Sequence, residues 1–372
     1  MLLAKYAQSS EAAPMWLLTY LACTGVPDTS DTLVTINEGF DSRLAFNLDK
    51  AFDEAFDETN MPGATLAVYV PDEGTWAAAR GYANYDEGIA AETDSRFGVG
   101  SITKTFVSSV ILQLETEGEL SIDDKVTAWL PEETQWNMVT LRDLLGHTSG
   151  IDDFIDELDL VVDLSRYWTG DELVALVANK PLLFKPGTDY EYSNTNYVLL
   201  GVIIERVTLN YWRDEVRTRL IEPLNLDRTH LPGDGEYIED WIVHGYIGSQ
   251  GIFLDVSESS HPSTAGAAGE MVSCTEDLLT WMAALYGGEV LEPEQLQAMT
   301  TEESPRMGYG LGCDIETRSG ERLLGHGGAS MGYQARMHWS DDSGMATATL
   351  VNNFFVEADI IDDPAWSTII GY

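Results

Sequence analysis

Ser101 and Lys104 stand three residues apart in "FGVGSITKTF" (97–106). On a helix, positions i and i+3 share a face, so the two side chains fall within reach of each other. A serine hydroxyl is a weak nucleophile until a base takes its proton. A lysine can be that base when its surroundings lower its pKa, as an apolar run does. At the head of a helix the serine would also meet unpaired backbone N–H groups that favour developing negative charge. The chain has six lysines against fourteen arginines, and the S-x-x-K spacing occurs once. Taken alone, the stretch reads more simply as an N-capping serine beside an incidental lysine.

Two later segments change that reading. In "FKPGTDYEYSNTNY" (184–197) a Lys-Pro-Gly turn leads to Tyr192-Ser193-Asn194, just before an apolar helical run. Tyr192 could relay protons beside a cationic lysine, and Asn194 could donate an amide hydrogen bond. Tyr82-Ala83-Asn84 has the same spacing but falls in a predicted strand upstream of Ser101. The third segment, "GHGGASMGY" (325–333), ends one predicted strand and leads into another. Gly327 and Gly328 leave room for a substrate against the backbone, and His326 offers polar contact or proton transfer. The N–H of Ala329 could complete an oxyanion hole with that of Ser101.

In this order the three segments resemble the serine β-lactamase and penicillin-binding-protein superfamily, of which S-x-x-K is a catalytic motif. The closer resemblance is to the branch with class C β-lactamases, D-alanyl-D-alanine carboxypeptidases and related esterases, which carries Y-x-N as its middle motif. "LRDLLGHTSGI" (141–151) and "GAAGEMVS" (266–273) are similar to flanking stretches of that branch, and the likeness runs from about residue 40 to 355. It implies Ser101 as the acylated nucleophile, Lys104 as its proton-shuttling partner and Tyr192 as general base and acid. Asn194 would orient the substrate amide, His326, Gly327 and Gly328 would form the strand-edge motif, and Ala329 with Ser101 would bind the oxyanion. The implied substrate is a small molecule or peptide with an amide or ester carbonyl, and no cofactor or metal is needed. A D-alanyl-D-alanine carboxypeptidase is the nearest expectation. A carboxylesterase, a β-lactamase or a D-amino-acid amidase on the same site are the alternatives, and a catalytically silent binding protein is a further one. His147 in "GHTSG" is left outside the site, as a residue of a structural loop.

Two departures bear on substrate. His326 stands where β-lactamases usually have lysine, and Gly327 where a threonine is common. Those two residues help to hold a substrate carboxylate, and each contributes on the order of 1–3 kcal/mol when buried.

The elements needed to position these groups follow from periodicity. An amphipathic helix is predicted over 41–59 and two strands over "GATLAVYV" and "TWAAARGYA", followed by the buried helix that carries Lys104. Residues 120–240 read as mainly helical, with segments such as "SIDDKVTAWL", "TLRDLLGH", "GDELVALVANK" and "WRDEVRTRLIEPL". After a further helix at 275–288 the C-terminal third alternates like strands, from "GYGLGCDIE" to "MATATLVNN". The expected fold is α+β: an antiparallel β-sheet flanked by helices, with a mainly helical lobe inserted between its early and late strands. Residues 1–35 form an N-terminal signal or linker segment, and 36–372 one hydrolase domain. Its α/β lobe spans about 36–115 and 262–372, and its helical lobe about 116–261.

Composition narrows the partners. Sixty-two acidic residues against 20 basic ones give a formal charge of −42. Phosphate binding needs clustered cations, so nucleic acid and anionic membrane are excluded as partners. None of Cys23, Cys274 and Cys313 has metal-ligand spacing; the last two are either a disulfide or two buried thiols. "MWLLTYLACTG" (15–25) fits a degraded export signal, or a lipoprotein signal with Cys23 as the lipidated residue, although no basic region adjoins it. An envelope or secreted location is the corresponding expectation, and a cytoplasmic one the alternative. No other stretch reaches the length of a membrane span. The acidic residues are scattered through the chain, as on a solvated surface adapted to salt, where screening relieves self-repulsion; the alternative is a surface that serves solubility alone. Melting temperature and activity are therefore expected to rise from low to molar salt, and a flat response would contradict the saline reading.

Overall fold

The computed structural model describes residues 33–36, 39–59, 61–158, 163–232, 242–303 and 308–372. The predicted signal at 15–25 with Cys23, and with it the location it implies, lies outside them. No helix among the described residues is long and apolar enough to cross a membrane.

Alternating small and branched residues build the central sheet. Strand β1 is Leu33–Ile36, β2 Gly63–Val70, β3 Gly74–Asn84, β4 Ile89–Ala90, β5 Phe97–Gly98, β6 Tyr246–Ser249, β7 Ile252–Asp255 and β8 Val272–Ser273. The later strands are β9 Asp314–Arg318, β10 Glu321–Ser330, β11 Tyr333–Ser340 and β12 Ala346–Val351. Seven of them run β1-β3-β2-β12-β11-β10-β9, with β4 beside β3, and every pairing is antiparallel. Early strand β2 lies against late strand β12, so the polypeptide between them leaves the sheet and returns to it. β1 adds to β3 although most of it falls within the segment, residues 1–35, expected to be a signal or linker.

The two faces of the sheet carry different side chains. Leu66, Val68, Trp76 and Ala78 pack with Leu44, Leu48 and Phe52 of helix α1 (Ser42–Thr59) and with Ile361, Trp366 and Ile369 near the C-terminus. The opposite face presents Ala67, Ala77, Ala346 and Ala348 to the main core. Alanines there leave space for helices to approach. Helix α2 (Thr103–Thr116) is buried on nearly every side, which fits a run without a polar stripe. Phe106 of α2 stacks on Trp281 at 3.8 Å between centroids, and the Trp281 indole N–H donates to Thr105 Oγ1 at 2.9 Å.

Several helical segments are shorter than their patterns suggest. "SIDDKVTAWL" is helical only over Val126–Trp129, because Lys125 is extended and Pro131 follows closely. "TLRDLLGH" keeps Leu141–Leu145 behind a Thr140–Asp143 capping box. The strand expected across "GYGLGCDIE" starts only at Asp314, since Gly312 takes φ +80°. A C-terminal helix, Asp359–Ile370, was not expected, because Pro364 interrupts its helical pattern. Cys274 and Cys313 are buried free thiols.

That C-terminal helix is anchored by a buried ion pair. His338 Nδ1 on β11 donates to Asp362 Oδ2 at 2.6 Å, and Thr349 Oγ1 donates to Asp362 Oδ1 at 3.1 Å. Glu316 lies 2.9 Å from His338 Nε2, close enough to pair as an ion though not aligned as a hydrogen bond. Burial opposes charge on His338, but Asp362 outweighs it and raises the imidazole from 6.5 to about 9. The same pairing holds Asp362 below the usual carboxylate range against its own burial. A raised histidine stabilises the fold fully below pH 6.5, and that contribution is lost as pH rises through about 9. A depressed carboxylate contributes above its ordinary pKa and loses that contribution on acidification. Asp362→Ala is expected to remove about 3–5 kcal/mol of stability. Urea midpoints at pH 6, 8 and 10 should fall with pH in the wild type and respond far less in the variant.

Candidate active site

Ser101 sits on a single 3-10 turn, Gly100–Ile102, that runs directly into α2. Thr103 Oγ1 closes the turn by donating to the Gly100 carbonyl at 2.7 Å. Gly100 has φ +51°, and a Cβ there would stand 2.6 Å from the Ala329 backbone nitrogen. A Cβ on Gly328 would likewise lie 2.0 Å from the Val99 carbonyl oxygen. These two glycines let β10 lie directly against the turn that presents Ser101.

Lys104 is fully buried. Its Nζ lies 2.9 Å from Ser101 Oγ, 2.8 Å from Asn194 Oδ1 and 2.7 Å from the Ala268 carbonyl oxygen. Desolvation lowers its pKa from 10.5 to about 7, against the opposing pull of Asp153 and Asp314. The last two contacts are with obligate acceptors, so they occupy the two N–H groups of a neutral amine. Its lone pair is left for the Ser101 hydroxyl, which is the arrangement of a base poised on its nucleophile.

Helices α3 (Leu141–Leu145) and α4 (Gly170–Ala175) precede α5 (Asn194–Thr208), of which Asn194 is the first residue. Its Nδ2 donates to Asp153 Oδ2 at 2.8 Å, and this turns Oδ1 toward Lys104. Asp153 therefore orients the asparagine, and one N–H of the Asn194 amide remains for a substrate.

Tyr192 lies over the lysine, with Nζ 4.9 Å from its ring centroid. Burial raises its phenol well above the ordinary value, with the Ser101 hydroxyl drawing it partly back. Among the described residues the hydroxyl has no well-aligned hydrogen-bond partner. At neutral pH it rests as a protonated phenol, able to donate a proton. The ring stacks on His147 at 4.1 Å. His147, in the left-handed region at φ +56°, accepts at Nδ1 from the Ser193 N–H at 3.1 Å. Its backbone carbonyl accepts from the Glu191 N–H. The loop residue left outside the site by sequence thus holds the Tyr192 loop from beneath.

His326 is buried in the opposite wall. Its Nδ1–H donates to the Gly327 carbonyl at 2.5 Å, and its Nε2 accepts from the Tyr309 hydroxyl at 2.9 Å. Burial lowers its pKa, with Lys104 adding to the effect and Asp314 opposing it, so the ring is neutral. Gly327 donates its N–H to Asp314 Oδ2 at 3.1 Å. A Cβ at Gly327 would be 2.9 Å from Arg336 Nη1, so the guanidinium fills the space a threonine would need.

β9 pairs with β10 only over Glu321–Gly325, which leaves the β10 edge open from His326 onward. The Gly327 N–H points to that edge, because its acceptor Asp314 is on β9. Backbone N–H groups two residues apart on a strand point the same way, so the Ala329 N–H faces the open edge beside Ser101. Ser101, in the first helical turn, has an N–H without an intrahelical acceptor. All eight residues singled out by sequence converge here: Ser101, Lys104, Tyr192, Asn194, His326, Gly327, Gly328 and Ala329. Asp153, His147, Tyr309, Asp314 and Arg336 were not anticipated. Tyr82 and Asn84 lie on β3, where Asn84 Nδ2 meets His244. Among the described residues no group of three or more His, Cys, Asp or Glu side chains is disposed to hold a metal.

A model of the beta-lactamase family matches residues 48–367. Penicillin-binding protein 4 of Amycolatopsis lactamdurans is 28% identical over 81% of this chain and 83% of its own. The solved structure of a D-stereospecific amidohydrolase from Streptomyces sp. superposes with a TM-score of 0.78 at 32% identity, covering 87% of this chain and 98% of that one. A D-amino acid amidase from Ochrobactrum anthropi SV3, complexed with L-phenylalanine amide, gives a TM-score of 0.81 at 26% identity over 89% and 99%. The family match runs over most of the chain, so this protein belongs to the beta-lactamase family and is a serine hydrolase on the fold shared with penicillin-binding proteins and D-amino acid amidases.

Proposed function

We propose that the protein hydrolyses amides and peptides of D-configured amino acids through an acyl-enzyme on Ser101. The observation that carries this reading is the buried Lys104 amine, held by Asn194 and Ala268 with its free position on the Ser101 hydroxyl. Ser101 attacks the substrate carbonyl as Lys104 takes its proton. The oxyanion is received by the N–H groups of Ser101 and Ala329. Tyr192 hands a proton to the departing nitrogen and is recharged through Lys104. Water then enters by the same route in reverse and releases the acid. The remaining N–H of Asn194 holds the substrate amide.

A D-alanyl-D-alanine carboxypeptidase and a D-amino-acid amidase share every one of these steps and differ in the leaving group. The neutral His326 and the bare Gly327 favour the amidase side of that pair, as do the names of the structural relatives. Ester carbonyls enter the same path. The division into an α/β lobe (about 36–115 and 262–372) and a helical lobe (about 116–261), the exported location and the salt adaptation belong to the same proposal.

D-Phenylalanine amide and p-nitrophenyl butyrate should both turn over, and acid quenching should trap the acyl group on the Ser101 peptide in a mass spectrum. Ser101→Ala should lower turnover by roughly 10⁴-fold or more. Full activity in that variant would contradict the mechanism. Because the unprotonated lysine is the active form, kcat/KM should rise with pH through a limb near 7. Lys104→Ala should abolish acylation and the limb with it. A flat profile between pH 5.5 and 8.5, or near-normal acylation in the variant, would remove Lys104 from the role of base.

A further inference from the structure

We propose that Asp314 selects the leaving group, turning away a free carboxylate and admitting neutral or cationic groups. This rests on the acyl-hydrolase reading above and specifies its substrate class.

The direction of departure comes from Tyr192. Its ring lies 6.4 Å from that of His326, so the group it protonates leaves over His326 and Gly327. Among the described residues, no cation in that space is free to meet a carboxylate. His326 is neutral, with both ring nitrogens engaged by Gly327 and Tyr309. Gly327 has no hydroxyl, and its N–H is already donated to Asp314. Arg336 lies beneath Gly327, but its Nε donates to Asp359 at 2.8 Å and its Nη1 to Asp314 at 3.2 Å. Asp314 and Asp359 thus share this guanidinium, and Asp359 also lies 3.8 Å from Arg318 Nη2.

Asp314 itself is one-third exposed. Both of its bonds, from Gly327 and Arg336, fall on Oδ2, and among the described residues Oδ1 accepts none. Its field acts on Lys104, His326, Tyr190 and Tyr192, which places it within electrostatic reach of the reacting atoms. A carboxylate entering here meets a like charge, whereas an amide N–H or an ammonium finds an acceptor in Oδ1.

Two peptides with the same scissile bond isolate this effect: N-acetyl-D-alanyl-D-alanine and its C-terminal amide, N-acetyl-D-alanyl-D-alaninamide. The wild type should cleave the amide-terminated peptide with a kcat/KM at least about tenfold above that of the free acid. The ratio should shrink as salt is raised, since a part-exposed charge is screened. In Asp314→Asn, where the side chain still accepts from Gly327, the ratio should approach one or invert. A wild-type preference for the free acid, or a ratio unmoved by both salt and the substitution, would overturn the inference alone. Absence of turnover and of any Ser101 acyl-enzyme with either peptide would overturn the acyl-hydrolase reading, and this inference with it.

Discussion

A lysine ammonium removed from water is the constraint around which the site is arranged. Burial penalises the charged form of Lys104, and the surrounding groups turn that penalty into reactivity rather than into a compensating ion pair. Neither carboxylate in its neighbourhood touches the amine. Asp153 is one residue removed, bonded to Asn194, and Asp314 acts only through space. Direct contact with either would hold the amine protonated and idle. Instead Nζ meets a side-chain amide oxygen and a backbone carbonyl, which fix its direction without fixing its charge. Neutral acceptors in place of a carboxylate are what allow one residue to be both buried and basic near neutral pH.

The sheet supplies the second half of the site by ending unevenly. β10 runs five residues beyond its pairing with β9, and the unpaired part lies against the Ser101 turn. An exposed edge is ordinarily a hazard for association. Here its N–H groups face Ser101, and in the proposed reaction the same feature would serve as a docking rail for an extended substrate. Gly100 and Gly328 permit the approach, and larger residues at either would push the edge away from the serine. On the far side of the sheet the His338–Asp362 pair ties the C-terminal helix to β11, the strand that supports β10.

What could be read in the sequence was what local spacing encodes. Ser101 and Lys104 lie on one helical turn, and Tyr192 and Asn194 flank one helix start, so their relation survives without knowledge of the fold. The strands over "GATLAVYV" and "YQARMHWS" were legible for the same reason. Asp153, Tyr309, Asp314 and Arg336 were not, because their roles arise from contacts between distant segments. Arg336 explains the missing threonine at Gly327 only once β10 and β11 are paired in register. The resemblance implied a structural-loop residue at His147, and it lies in a loop, where it supports the Tyr192 segment through Ser193 and Glu191. The C-terminal helix was hidden by Pro364, whose cost to a helix is outweighed by burial of Ile361, Trp366 and Ile369.

Burial lowers Lys104 to a pKa of about 7, so a substantial fraction of the amine is uncharged at neutral pH, and its titration can be observed directly. With six lysines in the chain, ¹³C labelling at lysine Cε yields a spectrum simple enough to assign by comparison with Lys104→Ala. The account predicts that the Lys104 signal titrates near pH 7. A midpoint at the ordinary lysine value of 10.5 would contradict it.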